Sequence, residues 1–265
     1  MTELKELYKE EVILAKRIQE FGKKKNNKVR SRARKSIMLL LYRIFTNLYI
    51  AIYVTAFSIK RDNIKITKLS LGLILRCTFI DCILALYLLN VDKKRAEEEL
   101  NLKNIEYANS LLERKEIYRD QLKSISKDFN DTMIDNFWEL TIEDNFLGDL
   151  TIEATEDDFK IVSKNKSKLK DEGFLNTKSK QIKEQYTYLC NFEEMQPIVE
   201  KLYQYYKYFS QYEHFSERSE GDILQDTAGD NIHLPSSIKA LSNGVHAIVY
   251  LFEKGKKKKT NNIKQ

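Results

Sequence analysis

The chain has 265 residues, 42% of them hydrophobic and 32% charged, so it holds enough apolar material to bury a core and too much to be a disordered chain. Its 8 glycines and 2 prolines are too few for a collagen repeat or for a β-sandwich with a turn residue about every ten positions, and they leave little room for a glycine-rich phosphate loop. The net charge of +6 hides a segregation: residues 23–35 carry eight Lys/Arg and no acid, residues 254–265 carry six Lys and no acid, and the 31 bases elsewhere are outnumbered by 39 acids.

Leu4, Leu7, Ile13, Leu14, Ile18 and Phe21 recur at helical spacing before Gly22, predicting an amphipathic first helix. No apolar stretch opens the chain, so a secretory signal is not expected and the protein reads as cytoplasmic. The basic segment that follows, with Arg30, Arg32 and Arg34, suits a phosphate backbone or an anionic surface. From Ser36 to Ile59 the chain is dominated by Leu, Ile, Tyr and Phe, interrupted by Arg43 and Asn47, which are four apart and share a face. A polar linker leads to a second apolar run from Leu69 to Val91, which contains Arg76 and Asp81. The two runs are the expected core hairpin of an all-α bundle.

Both runs are long enough to span a bilayer. Twelve Leu/Ile/Val/Phe residues in 36–59 would outweigh one central Arg at roughly 0.3–0.6 kcal/mol each against about 3. The second run is the worse span. Arg76 and Asp81 stand about 140° apart around a helix, so neither neutralises the other and each needs its own partner. The soluble bundle is the preferred reading, and membrane insertion through 36–59 and 69–91 is its alternative.

A long charged helix is expected from about Asp92 to Lys127, on which Glu97, Glu98 and Glu99 read as a solvated face. Residues 141–180, broken by Gly148 and Gly173, read as a variable, partly disordered insert with room for a short strand or helical turn. Helices are predicted over Gln181–Cys190, from Pro197 to about Phe215, and from Pro235 through Phe252. The organisation is thus an N-terminal helix and basic linker (1–35), core hairpin and long helix (36–140), insert (141–180), C-terminal helices completing the bundle (181–253) and a Lys-rich tail (254–265). Cys77, Cys82 and Cys190 lack paired spacing and read as reduced core residues. No Cys/His/carboxylate spacing suggests a metal, and no cofactor is implied.

Two places set groups capable of chemistry within apolar surroundings: Arg76 with Asp81, and the aromatic helix Tyr205-Tyr206-Lys207-Tyr208-Phe209-Ser210-Gln211-Tyr212-Glu213-His214. Ser210 and His214 are four apart and share a face. An imidazole moves protons near neutral pH, and a nearby guanidinium stabilises an anionic phosphate, so Arg76, Asp81, Ser210 and His214 facing one pocket would suit metal-free RNA cleavage. The competing reading assigns the same residues to fixing helix packing.

An apolar helix with a buried Arg and an acid five residues on, a variable middle, and a Tyr-rich helix ending in Ser210-x-x-x-His214 resembles a bacterial all-helical family similar to the HEPN superfamily (higher eukaryotes and prokaryotes nucleotide-binding). The resemblance covers about 36–112 and 180–253. It implies an up-and-down bundle, a metal-independent RNase site formed across a homodimer, RNA as substrate, and a role in antiphage defence alongside a cognate antitoxin or defence protein. On this resemblance the family histidine falls at His214; the expected site then has His214 as general acid/base, Arg76 as phosphate stabiliser and Asp81 orienting one of them. No Arg precedes His214 at the family's spacing; Lys207 is the nearest upstream base and, with Arg30, Arg32 and Arg34, the expected RNA contact.

Overall fold

The structure, a computed structural model, describes residues 32–61, 64–100, 102, 103, 106, 119–121, 124, 150–154, 159–163, 179–211 and 227–261, with Lys9, Ile13 and Lys16. The chain forms two compact units, one of Met1–Ala96 with Gln181–Gln265 and the other of Glu97–Lys180.

The first unit is helical. Helix α1 (Arg32–Arg61) and helix α2 (Ile64–Asn90) form the expected core hairpin, each longer than its apolar run. Ile37, Leu41, Ile44, Leu48 and Ala51 repeat every three or four residues on α1, so they line one buried stripe. On α2 every residue from Asp81 to Leu88 is buried, the mark of a helix enclosed on all sides. The enclosing partners are α1, helix α3 (Ile182–Leu189), helix α4 (Gln196–Ser210) and helix α5 (Thr227–Asn261).

Three close fits seat the outer helices. The Phe79 ring of α2 stacks on Tyr205 and Phe209 of α4, with centroids 5.8 and 6.0 Å apart. At Gly244 of α5 a Cβ would stand 2.5 Å from the Cys82 sulfur and 3.1 Å from Leu202, so only a glycine lets α5 approach α2 and α4 this closely. Tyr87 meets Tyr188 of α3 edge to face at 5.3 Å.

Two boundaries differ from the sequence reading. The last helix begins at Thr227, so Pro235 lies inside α5 and has no N–H to offer the preceding turn. Two residues on, the Ser237 hydroxyl donates to the Leu234 carbonyl at 2.7 Å. The Lys-rich tail is helical as far as Asn261. Of the expected first helix only Lys9, Ile13 and Lys16 are described, all helical, and α4 is described to Ser210.

In the second unit the all-α expectation needs one addition, within the segment where a short strand was allowed. Strands β1 (Leu150–Ala154) and β2 (Phe159–Ser163) pair antiparallel, with Ile152 opposite Ile161 and Glu153 opposite Lys160. The long charged helix is described at 93–100 and at scattered later positions. Its solvated Glu face is corrected: Glu99 is fully buried and Glu97 and Glu98 are half-buried. Glu99 accepts the Lys180 backbone N–H at 2.7 Å, and Glu106 accepts both the N–H and the hydroxyl of Ser179. Lys103, between them in sequence, donates to the Ser179 hydroxyl at 3.2 Å. Positions 99, 103 and 106 share a helix face, and that face receives the chain at 179–180.

Candidate functional site

Helix α2 carries both polar groups singled out in the sequence, and it separates them. Asp81 is buried and faces α1, where the Arg43 guanidinium donates Nε and Nη2 to its two carboxylate oxygens. This is a two-point Arg–carboxylate pair, the geometry in which a guanidinium fork matches a carboxylate best. Burial pushes the Asp81 carboxyl above its ordinary range, and the Arg43 hydrogen bonds oppose that rise. The carboxylate in turn raises Arg43, which stays charged.

Arg76 is half-buried and faces α4. Its guanidinium carbon lies 5.7 Å from the Tyr206 ring centroid, within cation–π reach. Ser210, one turn beyond Tyr206, donates its hydroxyl to the Tyr206 carbonyl at 2.7 Å. Arg76 and Ser210 thus both engage Tyr206, whereas Asp81 is engaged by Arg43. Asp81 therefore pairs with Arg43 in this structure, a partner that the sequence reading did not name. His214 lies outside the described residues.

Lys207 is exposed, with its ammonium 5.5 Å from the Tyr203 ring centroid. Tyr203 in turn stacks on Tyr186 of α3 at 4.1 Å with an interplanar angle of 11°. Phe209 is core, and Tyr203 and Tyr206 are half-buried. Arg32 and Arg34 stand in the first turn of α1; Arg30 lies outside the described residues. Among the described residues, the His233 imidazole of α5 stands beside the aromatic helix, 4.8 Å from the Tyr208 ring. Nothing in the sequence pattern near His233 signals this neighbour, because its partner stands 25 positions earlier. His246 is exposed on the same helix.

Among the described residues no three His, Cys, Asp or Glu side chains are grouped as a metal ion would need. The cysteines are free, but only Cys82 is core; Cys77 is exposed and Cys190 half-buried, which corrects the reading of all three as buried. Burial pushes the Cys82 thiol strongly up.

Two helices, over Lys35–Val54 and Ser70–Asn90, are long and apolar enough to cross a membrane. They differ in surroundings: the α2 window is 72% buried within the protein and the α1 window 44%. No family model, no curated protein and no solved structure matches this chain.

Proposed function

We propose that the protein is a non-catalytic helical interaction module of the cytoplasm, with α2 as its central core helix. The observation that carries this reading is the Arg43–Asp81 pair: the acid given a chemical role by the sequence has both oxygens engaged in holding α1 to α2. A carboxylate so occupied is poorly placed to orient a catalytic base. The test is incubation of the purified protein with single-stranded RNA. Neither the wild type nor His214→Ala is expected to cleave, while Asp81→Asn is expected to lower the melting temperature.

A second reading rests on the meeting of Arg76 and Ser210 at Tyr206. In it the protein is a HEPN-like effector of bacterial defence, in which Arg76 holds a phosphate, Ser210 shares its Tyr206 neighbour, His214 moves the proton, and a second copy completes the site. RNA cleavage by the wild type that disappears in both Arg76→Ala and His214→Ala would establish this reading and remove the first.

A further inference from the structure

The inner stripe of α1 is buried, and its outer face carries large exposed side chains. Leu39, Tyr42, Tyr49, Ile50 and Tyr53 are exposed along it, Leu39 and Tyr53 each by 61%. Leu39, Tyr42, Thr46, Tyr49 and Tyr53 recur at spacings of three and four, so they form one straight stripe about 21 Å long. The stripe has no unmet polar demand at its centre: the Thr46 hydroxyl donates to the Tyr42 carbonyl, and the neighbouring Arg43 is held by Asp81. Helix α2 also carries one large exposed apolar side chain, Leu73. Counting eight residues back from Asp81 and eight on from Arg43 puts the exposed Leu73 level with Ala51 of α1.

Charge decides what this face fits. Arg32–Arg61 contains no Asp or Glu, and its bases sit mainly at the two ends, Arg32, Arg34 and Lys35 at one and Lys60 and Arg61 at the other. A second copy of α1 would set base against base. A nucleic acid would need bases along the middle of the face, where tyrosine, leucine and isoleucine stand instead. A continuous span is opposed by the buried inner stripe and by the enclosure of α2. An anionic surface with an apolar interior just beneath it satisfies both features, because basic ends meet lipid phosphates and tyrosines suit the headgroup boundary.

The geometry points to the outer face of α1 as a docking surface for an anionic phospholipid bilayer, on which the helix lies in plane without crossing. This deepens the interaction-module reading by naming its partner. It makes the protein soluble when free and peripheral when bound.

The experiment is sedimentation of the full chain with vesicles of phosphatidylcholine alone and of phosphatidylcholine with about a quarter phosphatidylserine. Binding at least about tenfold stronger to the anionic vesicles is expected, reversed by high salt and by a carbonate wash. Leu39→Asp with Tyr42→Asp is expected to abolish binding while circular dichroism and melting remain those of a folded protein. Equal binding to neutral vesicles, a carbonate-resistant pellet, or no sedimentation would overturn the proposal, and the wild-type arms decide it even if the variant unfolds. A stable dimer broken by the same substitutions, or RNA binding lost with them, would overturn it in favour of that occupant. The RNA cleavage assay is independent, so absence of vesicle binding leaves the non-catalytic reading standing by itself.

Discussion

Arg43 and Asp81, 38 positions apart in sequence, are joined through two hydrogen bonds between neighbouring helices. The Asp81 side chain is 6% exposed and that of Arg43 61%, so one partner is sealed in the protein while the other reaches water. Removing the exposed partner strands the buried one. Arg43→Ala is expected to cost about 2 kcal/mol, below the roughly 3–5 typical of a fully buried pair because water screens the guanidinium end. Replacing both residues by leucine is expected to cost less than Arg43→Ala alone, since no buried charge is then left unpaired. Chemical denaturation of the wild type, Arg43→Ala and the double leucine variant measures both effects.

The same pair fixes a pH dependence. The folded Asp81 carboxyl is raised above its ordinary value of 3.8, chiefly by burial. A group that binds its proton more tightly when folded adds stability below its unfolded value and gives that stability up as pH rises through the folded value. Arg43→Ala removes the hydrogen bonds that hold the carboxyl down, so its folded value climbs further and the window widens upward. The gap in melting temperature between wild type and Arg43→Ala is therefore expected to be widest near neutral pH and to narrow on acidification towards 3.8. A gap independent of pH would mean that Asp81 does not bear the cost.

The hairpin, both apolar helices and the helix from residue 182 were legible because hydrophobic spacing is a local signal and α2 is apolar on all sides. The angle between Arg76 and Asp81 was also legible, and it already implied two different partners. The partners themselves were not: Arg43 finds Asp81, and Arg76 finds Tyr206, only once the helices pack. Glu99 shows the opposite failure. A run of three glutamates reads as solvated, but burial follows from the chain at 179–180 returning to the helix with backbone donors that need acceptors. Pro235 misplaced a boundary because a proline suits a helix start best, yet here the helix runs through it.

At Gly244 packing has no slack. Gly244→Ala sets a methyl against the buried Cys82 sulfur, with Leu202 close on another side. The expected loss is about 1–3 kcal/mol, against a small gain from alanine's better helix propensity. Cys82→Ala removes the sulfur, so adding it to Gly244→Ala is expected to restore part of the loss instead of increasing it. Additive losses in this pair would show that Leu202, and not Cys82, sets the limit.

The three thiols should separate by reactivity. Cys77 is exposed, Cys190 half-buried, and Cys82 buried with its thiol held strongly towards the protonated form. With a thiol-specific reagent on the native protein, Cys77 is expected to react first and Cys82 only on unfolding, as read by mass spectrometry of the labelled peptides. Early labelling of Cys82 would mean that α5 separates from α2 at Gly244 in the folded ensemble.

In the second unit, Glu99 and Glu106 act as acceptors for the backbone at the end of the insert. Glu99 is fully buried and takes the Lys180 N–H, while Glu106 takes the Ser179 N–H at 2.9 Å. A hydrogen bond to a charged carboxylate is worth roughly 1.5–3 kcal/mol. Glu99→Ala is therefore expected to speed exchange of the Lys180 amide by at least about tenfold. Glu106→Ala is expected to act mainly on Ser179, because each carboxylate serves a different amide. Hydrogen exchange resolved at these two residues checks the assignment: equal protection in wild type and both variants would show that local opening, and not these acceptors, governs how the chain is held at 179–180.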